Sequence, residues 1–218
     1  MSGLYVFALA GERMPPFETA GYRVECIRVA GVDAVIARLD QPPPVTEGLL
    51  RRQHEVVVAA ASRVDALLPV RFRAFLDRAE LAAVLTRRSG TIAEALALVR
   101  GRQQMTLRLL EPPTAAPPRD AVVPPAMTGA EYLEARRTAA ALPIALRAVG
   151  DALGTLVRAE RAQAGTGKIA PTLYHLIDRG DVASYNRKVA DSRSRQPQAA
   201  VVVSGPWPPF AFVPDLWP

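Results

Sequence analysis

Proline decides where this chain cannot build regular structure. It gives no backbone N–H to a ladder and clashes with the preceding helical turn. The sequence carries 20 prolines, many of them clustered, and the elements must fit between the clusters. Pro15-Pro16 separates a first strand, Leu4 to Ala10, from two more, Tyr22 to Ala30 and Val32 to Leu39, with turns marked by Gly21 and Gly31. QPPPVTEG (Gln41 to Gly48) ends the strand pattern and supplies Thr46 as a helix cap. In the helix that follows, Leu49, Gln53, Val56, Ala60, Val64 and Leu67 recur at three- and four-residue steps, giving one largely apolar face. Pro69 keeps LLPVRF (Leu67 to Phe72) extended. Helices are expected over Asp77 to Arg87 and Thr91 to Arg100, the second capped by Ser89 or Thr91.

The pattern restarts after Gly101. Met105, Leu107 and Leu109 alternate with polar neighbours as a half-buried strand does. Glu111 to Gly129 holds six prolines and reads as a stiff, exposed connector. A long helical stretch is expected from about Gly129 to Gln163, kinked or restarted at Pro143, with Leu142, Leu146, Val149, Leu153 and Leu156 on its apolar face. A strand at Leu173 to Ile177, a helix at Asp181 to Arg193 and a strand at Ala199 to Val203 complete a β-α-β-α-β order. The chain therefore reads as α+β in two domains, 1–101 and 102–218, with connector 111–129 inserted in the second and an aromatic tail at 204–218.

Half of the 218 residues are hydrophobic, enough for a sizeable core. No apolar run reaches the length that spans a bilayer, and a cytoplasmic protein with no membrane contact is expected. Cys26, the single cysteine, lies in an apolar strand pattern and reads as a small core residue. The net charge of +6 suggests a basic nucleic-acid-binding module as the alternative function. Against it, only Lys168 and Lys188 of the 27 basic residues are lysines, and the arginines are scattered over different elements. A solvated basic surface explains them, so no nucleic-acid partner is expected.

Catalytic patterns fail on inspection. AGTGKIA follows a helix and places Ile169 where a phosphate loop needs Ser or Thr. His54-Glu55 would need a second histidine where Val58 stands, and His175 lies far away in a strand. There is no nucleophile elbow and no glycine-rich dinucleotide loop. Glu131 and Glu134 sit beside Arg136 and Arg137, as surface ion pairs do. No enzyme activity, metal or cofactor is expected.

The tail, SGPWPPFAFVPDLWP, holds five prolines, two tryptophans and two phenylalanines with one charge, Asp215. Its GPWPPFAFV (Gly205 to Val213) resembles the terminal signature of the GvpL/GvpF family of gas vesicle accessory proteins. LYVFAL (Leu4 to Leu9), HEVVVAA (His54 to Ala60) with LLPVRF, and TGAEYLEAR (Thr128 to Arg136) agree in order and spacing. The chain departs from the family with Arg73-Ala74 in place of Gly-Thr, and with Phe210-Ala211 in place of Tyr-Ser. The resemblance implies a C-terminal domain of modified ferredoxin-like fold and a non-enzymatic role in building gas vesicles. The implied partners are the hydrophobic shell subunit and other vesicle accessory proteins.

Two tail geometries are open. A polyproline helix aligns Trp207, Phe210 and Val213, whereas a sheet edge turns Phe210 and Phe212 the same way. Trp207 and Phe210 are expected to close the C-terminal core. Trp207, Phe210, Phe212 and Trp217 are the candidate partner-binding residues, Trp217 being as suited to binding as to burial.

Overall fold

The computed structural model describes residues 3–109, 142–165, 170–195 and 201–216. The connector 111–129, the helical stretch before Leu142, Lys168 and Trp217 lie outside the described residues. The chain is α+β, and its contacts divide it into two compact units. One comprises the described residues of Met1–Gln103 and Trp207–Pro218, the other those of Gln104–Pro206.

The first unit is built on an antiparallel sheet of six strands: β1 (Gly3–Ala10), β2 (Phe17–Thr19), β3 (Tyr22–Val29), β4 (Val32–Leu39), β5 (Leu67–Pro69) and β6 (Phe75–Leu76). Their order is β2-β3-β4-β1-β5, with β6 also on β1. The turns Ala20-Gly21 and Ala30-Gly31 both have positive φ, as two-residue hairpins require. All eight residues of β1 are buried, as befits a central strand covered on both faces.

Helix α1 (Glu47–Ala61) starts where Thr46 Oγ1 accepts from the Leu49 amide at 3.3 Å. It buries Val56, Val57 and Ala60 against Tyr5, Phe7, Ala8 and Ala10 of β1. Helix α2 (Arg78–Arg87) opens on a reciprocal Asp77–Glu80 capping box, both bonds 2.8 Å, and packs on β3; α3 (Ser89–Val99) packs on β5. The expected Ser89 or Thr91 cap is absent. Arg88 ends α2 and starts α3 in one residue, and its carbonyl accepts from the Ile92 amide at 2.9 Å, so Ser89 already lies inside the helix.

In the second unit β7 (Arg102–Leu109), β8 (Val157–Gln163), β9 (Thr172–Asp178) and β10 (Val201–Trp207) form a sheet of order β10-β7-β9-β8. Helices α4 (Ile144–Leu153) and α5 (Val182–Arg195) pack on each other. Leu146, Val149 and Leu153 meet Met105, Leu107, Leu173, Tyr185 and Val201 in one core. Pro143 is the N-cap of α4, as a restart there requires.

The helix does not continue to Gln163. It ends at Leu153, passes through a 3-10 turn (Gly154–Leu156) and becomes β8, so the order among the described residues is β-α-β-β-α-β. VRAERAQ is rich in helix formers, but propensity yields to pairing with a neighbouring strand. Here β9 is that neighbour, and the register pair Glu160–His175 (2.9 Å) together with the ion pair Arg158–Asp178 (2.6 Å) at a bulge holds the strands together. His175 is fully buried, with Nδ1 2.8 Å from the Tyr185 hydroxyl. Gly150 lies above it: a Cβ there would come within 3.1 Å of Leu173 and 3.9 Å of His175 Nε2.

Candidate partner-binding surface

β5 and β6 lie along the same edge of β1, and the chain bulges outward between them. Val70 N donates to the Phe7 carbonyl and Val6 N to the Ala74 carbonyl, both at 2.8 Å, pinching the base of the bulge. Its crown is Arg71-Phe72-Arg73. The Tyr5 hydroxyl donates to Gln53 Oε1 and is hydrogen-bonded to the Arg73 backbone; Gln53 Nε2 donates to the Val70 carbonyl at 2.9 Å. Phe72 meets the Tyr5 ring edge-on at 6.4 Å. A buried polar network thus joins LYVFAL, the α1 helix carrying HEVVVAA, and LLPVRF, three segments far apart in sequence.

Arg73 has φ 71°, left-handed backbone at the position where the family places glycine. The tight turn is therefore kept despite the substitution, at the cost a Cβ imposes in that region. Arg73→Gly should raise stability by about 1 kcal/mol, read from the urea midpoint.

Burial pushes the Tyr5 phenol up to about 12, outweighing the lowering by the Arg73 hydrogen bond. Burial, reinforced by Glu160, also raises the Tyr185 phenol above its ordinary value. Both folded-state shifts favour the neutral phenol, so their contribution is complete below the unfolded value of about 10. For Tyr5 it is lost as pH rises through about 12. The melting temperature should fall over that alkaline range, and Tyr5→Phe should flatten the fall.

The tail packs within the first unit. After β10, Pro208 and Pro209 offer no N–H; an inverse γ-turn at Pro209, with Phe210 N to Pro208 O at 2.8 Å, leads into a 3-10 helix (Phe210–Phe212) in which Phe212 N donates to Pro209 O at 3.0 Å. This turn packs on β5. Pro208, Pro209, Phe212 and Leu216 are buried, Phe212 to 2% exposure. Arg71 and Asp215 form an exposed ion pair at 3.1 Å.

Trp207 and Phe210 take a different place. They remain 37% and 40% exposed and both lie on His54 of α1, Trp207 edge-on at 5.6 Å and Phe210 stacked at 5.7 Å. The expectation that these two rings close the C-terminal core is thereby corrected. A three-residue repeat sets both on one side, whereas Phe212 turns inward. Leu50 and Val58, one helical turn either side of His54, are 45% and 41% exposed. Exposed Leu50 and Val58 thus flank the half-buried His54 ring on α1, and two half-exposed tail aromatics cover that ring. Nothing in the periodicity of α1 marked its outer side; only the tail's return reveals it.

No described helix is long and apolar enough to cross a membrane. Arginines pair with carboxylates in both units, among them Arg28–Asp33, Arg38–Glu25, Arg51–Glu47, Arg71–Asp215 and Arg158–Asp178.

The fold is similar to the crystal structure of gas vesicle protein GvpF from Anabaena sp. PCC7120, with TM-score 0.74 and 13% identity over 98% of this chain and 99% of that one. GvpF from Microcystis aeruginosa is similar at TM-score 0.72 and 13% identity, covering 97% and 99%. No curated protein sequence matches the chain. The sequence pattern of gas vesicle synthesis protein GvpL/GvpF matches residues 3–214, and it includes each segment that meets at the Tyr5–Gln53 network and the tail. The chain belongs to the GvpL/GvpF family of gas vesicle proteins.

Proposed function

We propose that this protein is a non-enzymatic accessory factor of gas vesicle formation, acting in the cytoplasm or at the vesicle, and that it binds the hydrophobic shell subunit or another vesicle accessory protein. The observation that carries the reading is the placement of Trp207 and Phe210. They are held against His54 with more than a third of each side chain exposed, while the rest of the tail anchors them. Contiguous exposed apolar surface marks interaction sites, and tryptophan is enriched among residues that dominate binding energy. The β-α-β-β-α-β order and the β10-β7-β9-β8 sheet support a modified ferredoxin-like reading of the second unit.

Co-expression with the shell subunit, followed by gentle lysis and affinity capture of this protein, should recover that subunit or another vesicle accessory protein. The Trp207→Ala/Phe210→Ala variant should recover at least about tenfold less, the loss expected from removing two central anchors. Its melting temperature should fall by less than that of Phe212→Ala, because each ring keeps more than a third of its surface exposed. Undiminished recovery would rule out this surface, and absence of every vesicle protein from the parent capture would rule out the function.

A further inference from the structure

A second surface lies at the other end of the first unit's sheet. β2 pairs with β3 only from Thr19↔Tyr22 to Phe17↔Val24. The next residues back, Pro16 and Pro15, have no N–H, so the ladder cannot continue. The two-residue turn at Ala30-Gly31 fixes the alternation in β3, and Cys26 and Arg28 turn their peptide groups away from β4, toward the side β2 has left. The Arg28 carbonyl on that side accepts from Arg78 at 3.0 Å. Beside Cys26, whose thiol is hydrogen-bonded to the Met14 backbone, the structure opens into a cleft of about 480 Å³ lined in part by Pro15 and Pro16.

Pro15, Pro16 and Ile27 give this cleft apolar walls, and Arg13 and Arg23 stand exposed on its rim. Glu25, also on the rim, is held by Arg38 at 3.3 Å. Neither Arg13 nor Arg23 has an ion-pair partner among the described residues. The volume falls in the range of small-ligand sites, roughly 300–1,000 Å³, which suits a short extended segment.

We propose that this cleft captures an acidic, extended segment of a partner protein, adding it to the open edge of β3. Main-chain bonds at Cys26 would supply pairing, an apolar side chain would enter between Pro15-Pro16 and Ile27, and flanking carboxylates would meet Arg13 and Arg23. This goes beyond the tail surface and does not depend on it.

The test is fluorescence anisotropy with a labelled peptide of alternating glutamate and valine, against the same peptide with lysine for glutamate. The glutamate peptide should bind saturably, and the lysine peptide should not. Arg13→Glu/Arg23→Glu, both at exposed positions, should weaken binding by at least about tenfold with an unchanged melting temperature. Trp207→Ala/Phe210→Ala should leave it unaltered. No saturable binding, equal affinity for the lysine peptide, or undiminished affinity of the double arginine variant would each overturn the proposal.

Discussion

Phe212→Ala should cost about 3–5 kcal/mol, the usual penalty for emptying a buried aromatic site. Phe212 is the tail's principal anchor: 2% exposed, on a 3-10 turn packed against β5. A domain is typically stable by roughly 5–15 kcal/mol, so this single change removes a large share. Trp207→Ala removes a larger ring but one already 37% exposed, and should cost less. Urea denaturation of the two variants distinguishes them. The order of the two effects is the test: if Trp207→Ala proves the more damaging, the tail is anchored by its tryptophan and the surface described for it is wrong.

Gln53→Ala should be nearly as severe. It leaves the Val70 carbonyl without its side-chain partner and the Tyr5 hydroxyl with only its bond to the Arg73 backbone. An unsatisfied buried polar group costs about 1–3 kcal/mol, the loss expected at Val70, with a smaller one at Tyr5. Tyr5→Phe should cost less, because Gln53 keeps its bond to Val70. The two substitutions share one hydrogen bond, so their effects should be non-additive, with the double variant less damaged than the sum. Additive losses would mean that the network does not act as a unit.

This network also explains why three of the segments carrying the family resemblance, LYVFAL, HEVVVAA and LLPVRF, belong together. Tyr5 is in the first strand, Gln53 immediately precedes HEVVVAA, and Val70 is in LLPVRF. Their periodicities placed them on a strand, a helix face and an extended segment. That a tyrosine hydroxyl, a glutamine and a backbone carbonyl meet there is a long-range event that no local window contains. The glutamine stood on the apolar helix face, and a polar residue in that position was the available signal.

The second unit gives the opposite lesson. Val157–Gln163 is composed of residues that favour helix, and local propensity reads it as a continuation of α4. Pairing with β9 overrides that preference, because the cross-strand contacts of Arg158 and Glu160 exist only once β9 is adjacent. Aromatic burial in the tail escapes a sequence reading for a related reason. The proline pattern does set Trp207 and Phe210 on one side, but it carries no information about which surface that side meets.

The family resemblance lay in the GPWPPFAFV motif, and the sequence alone determined the α+β class, the strand–turn–strand opening, the Thr46 and Asp77 helix starts and the helix start after Pro143. Those features depend on hydrophobic period, capping chemistry and missing proline N–H groups, all written within a few residues. Tertiary structure alone decided that β8 is a strand, that the tail returns to the first unit, and that Phe212 is buried while Trp207 and Phe210 rest exposed on His54. Each of these is settled by a partner distant in the chain, and the free energy of burying a side chain depends on that partner.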